Sequence, residues 1–100
     1  MEQITAQKVA DVMTAYLYHQ ISLDDLVSWA ETAMMDGEFA DENYDTVRDI
    51  VSRLGMADVK AFGMTWEDFE RFFGRLGYAV RIEVVAARSL PRAGRPRDVD

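Results

Sequence analysis

The carboxylates of this sequence are the side chains with the most chemistry to offer. Five of them lie between positions 36 and 45, namely Asp36, Glu38, Asp41, Glu42 and Asp45. Oxygen-rich segments of this kind hold hard cations or transfer protons. A metal-dependent or acid–base protein that uses the loop 36–45 is therefore one of two functions that the sequence supports.

The spacing of these acids does not match a calcium-binding loop. The helix–loop–helix calcium motif needs an oxygen ligand at its fifth position, glycine at its sixth and glutamate at its twelfth. Counted from Asp36, those positions hold Ala40, Asp41 and Val47. We therefore predict no metal site and a solvated acidic loop.

The sequence has few residues suited to nucleophilic catalysis. The chain has no cysteine and a single histidine, His19. A histidine base needs a nucleophile and an orienting carboxylate beside it, and the nearby Ser22 is better placed as a helix cap. We predict that His19 lies near the end of the first helix and interacts with its dipole. We predict no catalytic residue and no cofactor.

Charge is concentrated in one stretch of the chain. The 100 residues carry a net charge of −7, and the stretch 24–49 has nine acids and one base, a net of −8. Such a body repels phosphates and anionic lipids, so neither nucleic-acid nor membrane binding is expected. It suits a basic protein partner. The N-terminal residues lack the pattern of a signal peptide, which predicts a cytoplasmic location.

Apolar residues recur at helical spacing in four segments. The predicted helices cover residues 5–19, 22–36, 42–54 and 65–76. Capping boxes are predicted at Ser22 with Asp25 and at Thr65 with Asp68. Glycines at 37, 55 and 77 follow the last three helices.

Three ion pairs are expected within single helices. Asp45 precedes Arg48 by three residues, Asp49 precedes Arg53 by four, and Glu67 precedes Arg71 by four. Residues at these spacings are neighbours on a helix surface. We therefore predict all three pairs as local salt bridges.

The C-terminal part of the domain follows a different period. Tyr78, Val80, Ile82 and Val84 alternate with other residues, which predicts a half-buried strand. A strand needs a partner for its backbone groups. Two partners are open, a short strand near 58–62 or a second chain, the latter giving a homodimer.

The fold class predicted is mainly α (α+β), with about four amphipathic helices packed on one core and a C-terminal strand. Residues 1–85 form a single domain in this prediction. Residues 86–100 are rich in arginine and proline and poor in large apolar residues, so we predict a disordered tail.

Some large apolar residues do not fit the apolar stripes of their helices. Tyr18 and Met35 fall on the polar faces of helices one and two, and acids surround Met35 in the sequence. This composition is typical of an interface anchor with a polar rim. Trp29 and Phe39 are expected to pack inside the monomer instead.

The second function that the sequence supports, and the one we favour, is a non-catalytic acidic protein-binding module. An adaptor, an inhibitor or an immunity-type protein that docks a basic protein would have this character. The candidate partner-binding residues are Tyr18, Met35, Asp36, Glu38, Asp41 and Glu42.

Overall fold

Four helices form where the apolar spacing predicts them. The structure is a computed structural model, and it describes residues 3–59, 63–82, 84 and 86. The elements in chain order are β1 (Gln3–Ile4), α1 (Ala6–Leu17), α2 (Leu23–Asp36), β2 (Glu38–Phe39), α3 (Tyr44–Leu54) and α4 (Trp66–Arg75). The protein is mainly helical with a small two-stranded sheet, so the helical part of the predicted fold class is confirmed.

Side chains cap the first turns of α2 and α4 as predicted. The backbone N–H of Asp25 donates to Oγ of Ser22 at 3.1 Å, and the Ser22 N–H donates to the Asp25 carboxylate at 3.1 Å. Thr65 and Asp68 exchange the same two bonds at 2.9 and 3.1 Å. Each box satisfies N–H groups that a helix start otherwise leaves without a partner.

The ends of α1 and α4 share one turn geometry. After α4, Gly77 has a φ of 95°, and the Tyr78 N–H donates to the Phe73 carbonyl at 2.9 Å. After α1, His19 takes the equivalent position with a φ of 62°, and the Gln20 N–H donates to the Ala15 carbonyl at 2.8 Å. This is the Schellman arrangement, which usually places glycine at the left-handed position. His19 therefore lies just beyond the helix, not within its last turn.

The four helices share one apolar core. Side chains on α1, α2 and α3 are the most completely buried, because α2 and α3 pack closely and α1 covers both. The buried members from these helices include Val9, Met13, Leu26, Ala30, Val47, Ile50, Val51 and Leu54. Trp29 and Phe39 pack against this core, as expected. Among the described residues, every buried side chain is apolar.

A short parallel sheet closes the open end of the α1–α2 hairpin. Gln3 pairs with Glu38 and Ile4 with Phe39, and the Ala40 N–H donates to the Ile4 carbonyl at 3.0 Å. Because β1 leads into α1 and β2 follows α2, this pairing ties the start of α1 to the end of α2. The sequence analysis did not predict either strand.

Gly37 makes this closure sterically possible. Any residue can adopt the Gly37 φ of −74°. Glycine is needed at this position because a side chain would clash with neighbouring atoms. A Cβ at this position would lie 2.6 Å from the Ala33 carbonyl oxygen and 3.0 Å from Cγ1 of the buried Ile4. The chain thus turns from α2 into β2 where a side chain does not fit.

The predicted C-terminal strand does not form. Residues 78–82 and 84 belong to no strand. Within the described part of segment 58–62, Asp58 and Val59 lie in turns, and the Val59 N–H donates to the Met56 carbonyl at 3.0 Å. That N–H is therefore not available to a neighbouring strand. Residues 60–62 lie outside the described residues.

The alternation that predicted the strand does not correspond to an alternation of buried and exposed side chains either. Val80 packs against the core, whereas Ile82 and Val84 are exposed. The division into a domain of residues 1–85 and a tail of residues 86–100 stays a prediction, because residues 87–100 lie outside the described part of the chain.

Charged side chains join α4 to α3, and none of the three predicted local ion pairs forms among the described residues. Asp49 pairs with Arg75 of α4 at 2.9 Å instead of with Arg53. Asp68 pairs with Arg71 at 2.6 Å and lies 3.8 Å from Arg53 of α3. Asp68, not Glu67, pairs with Arg71, because the capping position of Asp68 directs its carboxylate towards both Arg71 and Arg53.

Aromatic contacts support the same helix. The rings of Phe69 on α4 and Tyr16 on α1 stack at 5.7 Å between centroids. The guanidinium groups of Arg53 and Arg71 lie 5.9 and 5.7 Å from the centre of the Phe72 ring. Cations at this distance are attracted to the ring face.

The hydrogen bonds of Asp68 predict how stability depends on pH. The Thr65 backbone N–H, and then Arg71, lower the pKa of Asp68 below its ordinary value. A lowered folded-state pKa adds stability that is fully present above the unfolded-state pKa, about 3.9, and is lost as pH falls through the folded-state pKa. The variant Asp68→Asn keeps an oxygen for the cap and removes the charge.

We expect Asp68→Asn to be less stable than the wild type at pH 7 and the difference to shrink towards pH 2. Urea unfolding at a series of pH values measures it. Glu70→Gln, at an exposed carboxylate beyond the first turn of α4, is the matched control and should show no such convergence. A difference that stays constant or widens as the pH falls would contradict the assignment.

Candidate functional site

Residues 35–45, which we call the acidic connection, join α2 to α3 and carry most of the predicted site. The segment includes the last two residues of α2, Gly37, β2, the turn before α3 and the first two residues of α3. Its five carboxylates are all exposed. Met35 is 79% exposed, the second-largest exposure among the large hydrophobic side chains that the structure describes.

Met35 lies on the solvent face of α2. Asp24, Ser28, Glu31 and Met35 follow one another at intervals of three or four residues, so they share one face of the helix. All four are exposed, while α2 buries Leu26 and other residues on its opposite side. Met35 is therefore an apolar side chain at the end of a polar, acidic face.

Two charges of the acidic connection, those of Asp36 and Glu38, do not stabilise the helix that they end, whereas Asp45 has a favourable position in the first turn of α3. The backbone dipole makes the C-terminal end of a helix negative, and acids there are unfavourable. Asp36 is the last residue of α2, Glu38 lies two residues later in β2, and no base lies in the last turn of α2. The first turn, with Asp24 and Asp25, has the favourable arrangement.

The five carboxylates of the acidic connection are also without protein partners in the part of the chain described. None of them makes a salt bridge or a side-chain hydrogen bond with another described residue. The acids that stabilise the fold, Asp25, Asp49 and Asp68, lie outside this segment. Folding therefore leaves the charges of the acidic connection available to solvent or to a partner.

The start of α3 differs from the prediction. The helix begins at Tyr44, and its N-cap is Asn43, which has a φ of 58° and makes no side-chain capping bond. Asp41 and Glu42 therefore lie in the turn before the helix, with exposed side chains. The Tyr44 N–H donates to the Asp41 backbone carbonyl at 3.3 Å, which leaves the Asp41 carboxylate uninvolved.

Tyr44 is a site residue that the sequence analysis missed. Its helical spacing predicts a core position, yet the side chain is 44% exposed. The ring meets that of Phe39 edge to face at 6.0 Å, which holds β2 against the start of α3. The acidic connection thus presents two exposed apolar groups, Met35 and Tyr44, among its carboxylates.

Tyr18 lies apart from the acidic connection. It is the C-cap of α1 and is 72% exposed. A short turn joins it to the start of α2, whereas Met35 lies in the last turn of that helix, which is about 21 Å long. The structure therefore places the two predicted anchors at opposite ends of α2.

Within the described part of the chain, the geometry assembles no metal centre. Across residues 3–59 and 63–82, no three histidine, aspartate or glutamate side chains converge closely enough to hold a metal ion. His19 joins no such group. The alternative function based on the loop 36–45, a metal-dependent or acid–base protein, stays a prediction.

No protein-family model, curated protein or solved structure matches this chain. In the portion of the chain that the structure covers, no helix has the length and apolar character needed to cross a membrane.

The unfavourable position of Asp36 gives a direct test. We expect Asp36→Asn to raise the free energy of unfolding by a few tenths of a kcal/mol, because it removes a negative charge from the negative end of α2. Asp24→Asn, in the first turn of the same helix, is the matched control and should lower stability by a similar amount. Urea unfolding at low ionic strength measures both. A loss of stability in Asp36→Asn would show that its charge serves the fold.

Proposed function

We propose that the protein is a non-catalytic binding module that docks a basic protein through the acidic connection, with Met35 as the apolar anchor. One observation carries the proposal: an exposed methionine lies in a segment whose five carboxylates have no partner among the described residues. An adaptor or an inhibitor that covers a basic surface would use such a segment.

The two kinds of side chain would contribute differently to binding. Exposed carboxylates attract a basic partner and speed the encounter, but rim charges add little affinity. Burial of a methionine side chain contributes about 1.5–3 kcal/mol. Its unbranched and polarisable chain also adapts to the shape of a partner. Met35 would therefore supply affinity, and the acids would supply orientation and salt dependence.

The position of Asp36 and Glu38 supports a role outside folding. Natural sequences tend to satisfy local rules of helix formation, and departures concentrate at functional sites. Two acids at the negative end of α2, without a compensating base in its last turn, are such a departure. Binding to a cationic surface would offset their cost.

The separated position of Tyr18 is compatible with one continuous interface. A standard interface buries about 800 Å² on each partner, a patch about 30 Å across. The exposed face of α2, which runs from Asp24 to Met35, is shorter than this. A partner that covers this face would reach Tyr18 at one end and the acidic connection at the other.

The cytoplasmic location predicted from the sequence stays a prediction.

Variants of Met35 and of the carboxylates test separately how the apolar anchor and the charges contribute to binding. The protein is immobilised, incubated with a lysate of its source organism and washed at rising salt, and the retained proteins are quantified by mass spectrometry. We expect the wild type to retain a basic protein that Met35→Ser loses. With the purified partner, Met35→Ser should weaken affinity about tenfold or more, the equivalent of about 1.4 kcal/mol.

Met56→Ser is the matched control, because Met56 is an exposed methionine outside the acidic connection. It should bind like the wild type. The pair Asp36→Asn with Glu38→Gln should slow association and reduce its dependence on salt. Retention of the same proteins by wild type and Met35→Ser would contradict the proposal.

A further inference from the structure

The five methionines that the structure describes differ widely in their access to solvent. Met13 lies in the core with no exposed surface, and Met34 and Met64 pack against that core. Met56 is 36% exposed, and Met35 is 79% exposed. In this part of the chain, Met35 is therefore the methionine that a dissolved reagent reaches most readily.

The surroundings of the sulfur atoms differ as well. The Arg53 guanidinium donates to Sδ of Met64 at 3.9 Å, which engages a sulfur lone pair. Within the described residues, Met35 takes part in no bond of this kind. Glu31, one turn before Met35, and Asp36, next to it, are exposed carboxylates. Negative charge opposes the approach of anionic oxidants but not that of hydrogen peroxide, which is uncharged at neutral pH.

We propose that Met35 is a site of reversible oxidation by hydrogen peroxide, and that its sulfoxide form releases the basic protein. In this step a lone pair of Sδ attacks one peroxide oxygen, the O–O bond breaks and a sulfur–oxygen bond forms. The sulfur loses two electrons, the peroxide is reduced, and the second oxygen leaves as water with both protons. Methionine sulfoxide reductases reverse the change.

The release of the basic protein rests on the docking function proposed above. A sulfoxide is polar, so the oxidised side chain loses the affinity that burial of an apolar methionine supplies. The carboxylates of the acidic connection keep their charge, so the attraction that speeds the encounter persists. Oxidation therefore acts on the dissociation of the complex and leaves association nearly unchanged.

The position of Met35 separates loss of docking from loss of stability. Its side chain lies on the solvent face of α2, so the added oxygen meets water and not the core. Met35 is also the last residue but one of α2, and helix ends fray, so a change in helix propensity there costs little. Oxidation of Met13 would instead place a polar group in the core without a hydrogen-bond partner, which destabilises a protein.

Peptide mapping by mass spectrometry after graded hydrogen peroxide treatment tests the site in the full chain. Met35 should oxidise about twice as fast as Met56, in proportion to their exposed fractions of 79% and 36%. It should oxidise about tenfold or more faster than Met13, which the oxidant reaches only when the core opens. Oxidation at Met35 that is no faster than at Met56 or Met34 would overturn the assignment.

Urea unfolding of peroxide-treated Met56→Leu checks that the fold tolerates the change. In this variant Met35 is the one strongly exposed methionine among the described residues. Its unfolding midpoint should be the same before and after oxidation of Met35. A clear loss of stability would show that the modification acts on the fold and not on docking alone, which contradicts the inference.

Release is tested with the basic protein that the wild type retains from the lysate. The chain is treated with hydrogen peroxide, the peroxide is removed with catalase, and the two proteins are mixed. We expect treatment to weaken binding about tenfold or more through faster dissociation, and sulfoxide reductases to restore it. Met35→Leu forms no sulfoxide at this position, so its affinity, whatever its starting value, should be the same before and after treatment. Met56→Leu is the matched control and should respond to peroxide as the wild type does.

Failure of this inference is distinguishable from failure of the docking function. A wild type that retains no basic protein contradicts the docking function, and the proposed release falls with it. Equal binding by the oxidised and reduced wild type overturns the release and leaves the docking function in place. Loss of binding by peroxide-treated Met35→Leu has the same consequence, because another residue would then carry the effect.

Discussion

The close approach of Gly37 to the α2 backbone and to Ile4 is the constraint on which the rest of the fold depends. It lets the chain leave α2 and enter β2 at once, so that β2 can pair with β1. That pairing closes the α1–α2 hairpin at its open end. The hairpin presents the apolar stripes against which α3 and then α4 pack. The acidic connection is held on the surface by the same closure, since β2 is its central part.

In this architecture some charged residues stabilise the fold and others do not. Stability comes from the apolar core, the two capping boxes and the ion pairs between α3 and α4. These use Asp25, Asp49 and Asp68. The acids of the acidic connection contribute to none of them, and Asp36 opposes the dipole of its own helix. Charges that folding does not use are the ones that a partner can use, and this links the fold to the proposed binding role.

Sequence reasoning succeeded where local physics decides the structure. Apolar period and capping chemistry placed all four helices and both capping boxes, because these depend on residues three or four positions apart. It failed where distant segments decide. Two-residue strands have no period to detect, so β1 and β2 were missed, and the alternation after Tyr78 predicted a strand although no partner lies beside it in the described chain. The exposure of Tyr18 and Met35 followed from helical geometry, but their separation along α2 required the structure.

Amide hydrogen exchange at Ala40 tests the central claim most directly, since its N–H donates to Ile4 across the closure. In the wild type this amide should be protected to about the same degree as amides in the core of α2. Gly37→Ala should remove that protection, and amides in the core of α3 and α4 should lose part of theirs, because both helices pack against the hairpin that the closure holds. Gly74→Ala is the control, because a Cβ there meets nothing within 4 Å, and it should leave Ala40 protected. Rapid exchange of Ala40 in the wild type, or full protection in Gly37→Ala, would contradict the account.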